Sequence, residues 1–99
     1  MNTLKGEKVA VVGLAASGRA AAQLALEKGG KVHVSDLRTD AATHARGAEL
    51  RALGAEVDLG EHPLDRIADA ATVVVSPGIR PDTLVLSELA ERGVRWISE

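Results

Sequence analysis

The chain has no cysteine, phenylalanine or tyrosine, and Trp96 is its single aromatic residue. Without cysteine there are no disulfides and no thiol nucleophile, a composition compatible with a reducing cytosol. The missing aromatics remove the usual stacking platforms for nucleic acid. With 12 Lys+Arg against 14 Asp+Glu, a formal charge of -2, there is also no basic stripe to follow a phosphate backbone. Nucleic acid is therefore not an expected partner. No apolar run approaches the roughly 18–20 residues of a membrane span, and Met1 to Lys8 is too short and polar for a signal peptide. A cytoplasmic domain with no membrane partner is the default.

What remains is ordinary for a globular chain. Its 99 residues, 45% hydrophobic and 26% charged, suffice for one domain and one modest core built from Val, Leu, Ile and Ala. Side chains this small favour close packing of alanine-rich helices on a sheet. Lys8–Val12 is a continuous apolar run suited to a strand covered on both faces. A helix is predicted from Ser17, as N-cap, to Lys28, with Ala20, Ala21, Leu24 and Ala25 inward and Gly29-Gly30 as the stop. Lys31–Ser35 is a second strand, ending at Asp36. Asp40 caps a helix through Leu53, Gly54 ends it, and a short strand follows at Glu56–Leu59. After the turn Gly60-Glu61-His62-Pro63 come a short helix at Leu64–Ala68 and an apolar strand at Thr72–Val75. Asp82 or Thr83 starts a last helix, with Leu84, Leu86, Leu89 and Ala90 inward, before a strand at Val94–Ile97.

Strands alternating with helices imply a parallel sheet with right-handed crossovers. Placing the most apolar strands, the first and fourth, at the centre gives a Rossmann-like α/β domain with a five-stranded sheet in the order 3-2-1-4-5. Its ligand crevice opens at the carboxyl ends of those two strands, where the winding reverses. Gly13–Gly18 and Ser76–Gly78 then face each other across it. The sequence ending at Ser98-Glu99 reads as one domain, 1–99, of something longer.

The turn Gly13-Leu14-Ala15-Ala16-Ser17-Gly18 joins an apolar strand to a helix, so it can present backbone N–H groups and the positive end of a helix dipole to a phosphate. Gly13 and Gly18 take the first and last positions of the dinucleotide fingerprint, but Ala15 replaces the middle glycine, where a methyl group worsens the approach of a pyrophosphate. Asp36 can accept from a ribose hydroxyl, as in NAD-binding domains, or from the imide N–H of a uracil. Arg38 either flanks a base or phosphate or is simply solvated. Ser76-Pro77-Gly78 is either a plain turn or the far wall of the crevice. His33, His44 and His62 are dispersed without ligand spacing, so no metal is expected. Asp65 and Asp69 fit a solvated helix face, and no catalytic residue is visible.

Several stretches resemble the Mur ligases of peptidoglycan synthesis, in particular the N-terminal domain of the branch that adds D-glutamate. They are Val-Val-Gly-Leu-Ala-Ala-Ser-Gly at 11–18, Val-Ser-Asp at 34–36, Gly-Glu-His-Pro at 60–63, Val-Val-Ser-Pro-Gly-Ile at 74–79 and the ending Gly-Val-Arg-Trp-Ile-Ser-Glu. The resemblance implies that the domain holds the UDP part of UDP-N-acetylmuramoyl-L-alanine. Ala15, Ala16 and Ser17 then approach the diphosphate, Asp36 and Arg38 flank the uracil, and Ser76, Pro77 and Gly78 close the opposite side. Leu37 stands where the family can carry a hydroxyl residue. Arg80 stands where proline is often seen, and no role is carried to it. ATP and magnesium belong, by the same resemblance, to central and C-terminal domains. The P-loop glycine-lysine motif is absent from this sequence, so the chain is expected to be a monomer without ligase activity of its own. The readings left open are an NAD-binding module of an oxidoreductase or regulatory protein, a structural fragment that binds nothing, and the domain of the neighbouring L-alanine-adding ligase.

Overall fold

The structure, a computed structural model, describes residues 5–77 and 84–98. Its elements are β1 (Lys8–Val12), α1 (Ala16–Glu27), β2 (Lys31–Asp36), α2 (Ala41–Ala52), β3 (Glu56–Leu59), α3 (Leu64–Ala68), β4 (Thr72–Val75), α4 (Leu84–Glu91) and β5 (Ile97–Ser98). The strands form one parallel sheet in the order β3-β2-β1-β4-β5, as expected from their hydrophobicity. The ladder continues beyond the strand ends, with Gly13 N donating to Ser35 O at 2.8 Å and Ser76 N to Val12 O at 2.9 Å. Those two bonds bring the segments after β1 and β4 to the same carboxyl edge.

Two cores lie on opposite faces of the sheet. Val9, Val11, Val32, Val34 and Val57 pack under Ala22 and Ala25 of α1 and Leu50 of α2. Ala10, Val12, Val73 and Val75 pack under Ile67 of α3 and Val85, Leu86 and Leu89 of α4. The two helices of the first face approach closely because each turns a glycine to the sheet. A Cβ on Gly47 would lie 3.1 Å from Val57 Cγ1, and one on Gly18 would overlap the backbone of the preceding turn. The second face is apolar only over β1 and β4. Register with Ala10 and Val12 puts Lys31, His33 and Ser35 of β2, and with them Glu56 and Asp58 of β3, on that same face. There His33 Nε2 meets Asp58 Oδ2 at 2.8 Å, and Arg66 of α3 reaches Glu56 at 3.4 Å and Asp58 at 3.5 Å. These groups partner one another beneath the short α3, although Nδ1 of His33 is buried without a hydrogen-bond partner.

Several expectations need correction. α1 begins at Ala16 with Ala15 as N-cap, so Ser17 is the second helical residue rather than the cap. Its inward residues are Gly18, Ala22 and Ala25, while Leu24 is 54% exposed and Ala20 is exposed. In so alanine-rich a helix, closeness to the sheet selects the smallest side chains for the inner face and sends the leucine outward. In α4, Val85, Leu86 and Leu89 are buried, whereas Leu84 and Ala90 are exposed. The last strand is Ile97–Ser98 rather than Val94–Ile97, because only Ile97 and Ser98 pair with Val74 and Val75. With so short a neighbour, β4 has its residues alternately half-buried and buried. The proposed helix starts at Asp82 and Thr83, like Gly78 and Arg80, lie outside the described residues.

Candidate functional site

The carboxyl edge of the sheet is built around the β1–α1 turn. Gly13 holds φ +101°, a left-handed conformation open to glycine, and its carbonyl oxygen passes 2.0 Å from where a Cβ of Gly18 would stand. Both glycines are thus required by the path of the backbone. Leu14 anchors the turn by burying its side chain completely in the first core. Arg19 N donates to Ala15 O at 2.9 Å, opening the helix. No side chain caps α1, and no acidic residue lies in its first turn. The first turn of α1 therefore has no cap or acidic side chain of its own to offset the positive dipole end. Ser76 Oγ lies 3.5 Å from Ser17 Oγ, so the structure brings together the two segments that the topology placed opposite each other. Ser76 is buried and Pro77 exposed, and Gly78 lies outside the described residues.

Asp36 is 4% exposed, and its carboxylate is fully engaged. Oδ2 accepts from Leu14 N at 2.7 Å and Arg38 Nη2 at 2.9 Å, while Oδ1 accepts from Arg38 N at 2.8 Å and Arg38 Nε at 3.2 Å. Burial alone would push this carboxyl up. The hydrogen bonds from the Arg38 side chain and from the Arg38 and Leu14 amides, with the Arg38 charge, outweigh it and hold the pKa below the usual carboxylate value. Arg38 is thereby held at the end of β2 with half its side chain exposed.

The turn after β3 folds over the end of β2. Gly60 N donates to Asp36 O at 2.8 Å, and Asp36 and Glu61 form an antiparallel bridge. This sets His62 against Ser35, with Nδ1 and Oγ 2.7 Å apart. Burial pushes the His62 pKa down, against the charge of Asp36 and with a small contribution from His33, so the ring is neutral at pH 7. Its Nε2 is buried without a hydrogen-bond partner. Ser35 has no exposed surface, so the Ser35–His62 pair is a structural tie rather than a nucleophile with its base. Beside it lies a cavity of about 190 Å³ lined by Leu37, His62, Leu64, Leu84, Val85 and Glu88. Sequence reasoning assigned no role to this cavity; the signal available was two leucines in polar surroundings, Leu37 after Asp36 and Leu64 after the Gly-Glu-His-Pro turn. Among the described residues, no group of three or more His, Cys, Asp or Glu is placed to hold a metal ion.

Comparison with known proteins adds to this geometry. Residues 7–98 match the family described as Mur ligase MurD-like, N-terminal domain. A UDP-N-acetylmuramoylalanine–D-glutamate ligase of Desulfatibacillum aliphaticivorans is 40% identical over 96 residues, covering 97% of this chain and 21% of the relative. The chain thus spans about a fifth of the length of that relative. A pseudomurein peptide ligase type C from Methanothermus fervidus superposes with a TM-score of 0.77 at 26% identity, covering 94% of this chain and 19% of that one. The precorrin-2 dehydrogenase SirC, with a TM-score of 0.64 at 16% identity over 100% of this chain and 46% of its own, shares the fold alone.

Proposed function

Since the chain belongs to the family of MurD-like Mur ligase N-terminal domains, we propose that it holds the UDP part of UDP-N-acetylmuramoyl-L-alanine for a ligase that adds D-glutamate during peptidoglycan synthesis. The observation that carries this reading is the uncapped first turn of α1, which the fold sets beside Ser76 at the carboxyl edge of the sheet. Backbone N–H groups at a helix N-terminus suit a diphosphate. Ala15, Ala16 and Ser17 meet the diphosphate, Arg38 and the Asp36 that fixes it stand at the uracil end, and Ser76, Pro77 and Gly78 close the other wall.

The chain contributes position and no bond making. The glycine-lysine loop that would cradle ATP is absent from its sequence, so ATP and magnesium fall to the central and C-terminal domains of the parent enzyme. There ATP activates the substrate carboxylate as an acyl phosphate, which the amine of D-glutamate attacks. In this reading the domain works in the cytoplasm as a monomer. An NAD-binding module uses the same fold, but its acidic residue must accept from a ribose, and the carboxylate of Asp36 is already fully engaged.

Titration of the ¹⁵N-labelled chain with UDP, and separately with NAD, tests the reading. UDP is expected to shift the amides of Gly13–Gly18 and Ser76 and to displace NAD in competition. A silent titration at those amides, or tighter binding of NAD, sinks it.

A further inference from the structure

We infer that Asp36 is a positioning residue, a latch that joins the glycine turn to Arg38 and touches no ligand itself, an inference that rests on the UDP reading above. An ionised carboxylate offers about four acceptor positions. Those of Asp36 are matched by four donors: the amide N–H groups of Leu14 and Arg38 and the Nε and Nη2 of Arg38. For Asp36 to read a ribose hydroxyl or an imide N–H, one of these bonds must break. A donor broken off at this edge would be the buried Leu14 amide, the Arg38 amide or one arm of a charge-assisted fork, each costly to leave unpaired.

The latch has a direct use. Arg38 would otherwise be a long, freely rotating side chain in a loop, and ordering it on binding would weaken affinity. The fork of Nε and Nη2 on the two Asp36 oxygens fixes the guanidinium plane in advance, while half of the side chain stays exposed to solvent. The same carboxylate sets the direction of the Leu14 amide and hence the path into Ala15, where α1 starts. One buried group thus registers the phosphate end of the site with the base end, and the side chain that meets the nucleotide is Arg38.

A double-mutant cycle on the full chain tests this, with UDP affinity measured by calorimetry for wild type, Asp36→Asn, Arg38→Ala and the double variant. If Asp36 acts through Arg38 and the Leu14 amide, each single variant weakens UDP binding by about tenfold or more, the scale of one charge-assisted hydrogen bond, and the double variant loses clearly less than the two single losses combined. Additive losses overturn the inference. So does a wild-type preference for UDP over 2′-deoxy-UDP or 3-methyl-UDP that Asp36→Asn abolishes, because Asp36 would then read the nucleoside directly. A measurement on wild type alone covers the case in which Asp36→Asn fails to fold. The Leu14 N–H and Arg38 Nε–H are expected to be protected from hydrogen exchange and to stay protected when UDP is added, and loss of protection on binding refutes the latch. If wild type does not bind UDP, the functional reading fails, and absence of that protection in the free chain then overturns the latch separately.

Discussion

Gly18→Ala is the substitution whose cost the structure states most directly. An ideal Cβ at residue 18 would lie 2.0 Å from the Gly13 carbonyl oxygen and 3.1 Å from its carbonyl carbon. Carbon–oxygen contacts settle near about 3.3 Å, so the gap must open by about 1.3 Å. Both obstructing atoms are backbone, and no rotamer change relieves them. Moving the Gly13 carbonyl strains a residue already at φ +101° and pulls on its 2.8 Å bond to Ser35 O and on the neighbouring Leu14–Asp36 bond. Alanine gains about 1 kcal/mol of helix propensity over glycine, too little to offset this. A net loss of about 2–4 kcal/mol is expected, a large part of the ~5–15 kcal/mol typical of a domain. With a urea m-value of about 1–3 kcal/mol/M, the unfolding midpoint falls by about 0.7–4 M. Gly47→Ala is the control, because its tight contact is Val57 Cγ1 at 3.1 Å, a side chain that can give a few tenths of an ångström. It is expected to stay within about 1 kcal/mol of wild type. A Gly18→Ala chain as stable as wild type, or no less stable than Gly47→Ala, refutes the reasoning.

Ala15→Leu is expected to abolish UDP binding while leaving the amide spectrum that of a folded chain, since its side chain would cover the first turn of α1; unchanged affinity would mean that the phosphates lie elsewhere. Leu50→Ala, at a site 1% exposed, should cost about 2–5 kcal/mol in urea unfolding, whereas Leu24→Ala, at a site 54% exposed, should stay within about 0.5 kcal/mol. Comparable losses for the two would contradict the observed inner face of α1. Burial lowers the His62 pKa in the folded chain, so its contribution to stability is present above the unfolded value of about 6.5 and is lost as pH falls through the lower folded value. His62→Gln should therefore lose less stability than wild type as pH drops below about 6.5, and parallel stability curves would show that the ring is not held neutral.

Much of the fold could be read from residue patterns. Apolar runs marked β1 and β4, Gly54 and the Gly29-Gly30 pair ended helices, and Asp40 capped α2 by accepting from Thr43 N at 3.0 Å. These are local signals, set by neighbours a few residues away. The inner face of α1 was not legible, because hydrophobicity cannot separate one alanine from another and the choice is made by how near the helix lies to β1. Nor was the engagement of Asp36, since it depends on the Leu14 amide, 22 residues away in sequence, arriving at the same point as Arg38. His62 met Ser35 across 27 residues for a similar reason: the bridge between Asp36 and Glu61 had to form before the ring had a neighbour.

The two departures from a dinucleotide site are one physical change rather than two. A site of that kind in this fold needs bare backbone in the middle of the turn and a carboxylate at the end of the second strand with acceptor capacity to spare. Here the middle position carries the methyl group of Ala15, and the carboxylate of Asp36 is taken up by Leu14 and Arg38. Leu14 links them, because the amide held by Asp36 belongs to the residue before Ala15. Once that carboxylate has turned inward to hold the loop, the sugar loses its acceptor and an exposed guanidinium stands in its place, next to an uncapped helix that still favours phosphate. On the proposed reading, such an edge offers a diphosphate the helix end and offers the base a fixed planar cation in place of a free ribose acceptor, an arrangement that suits a uridine nucleotide better than a dinucleotide.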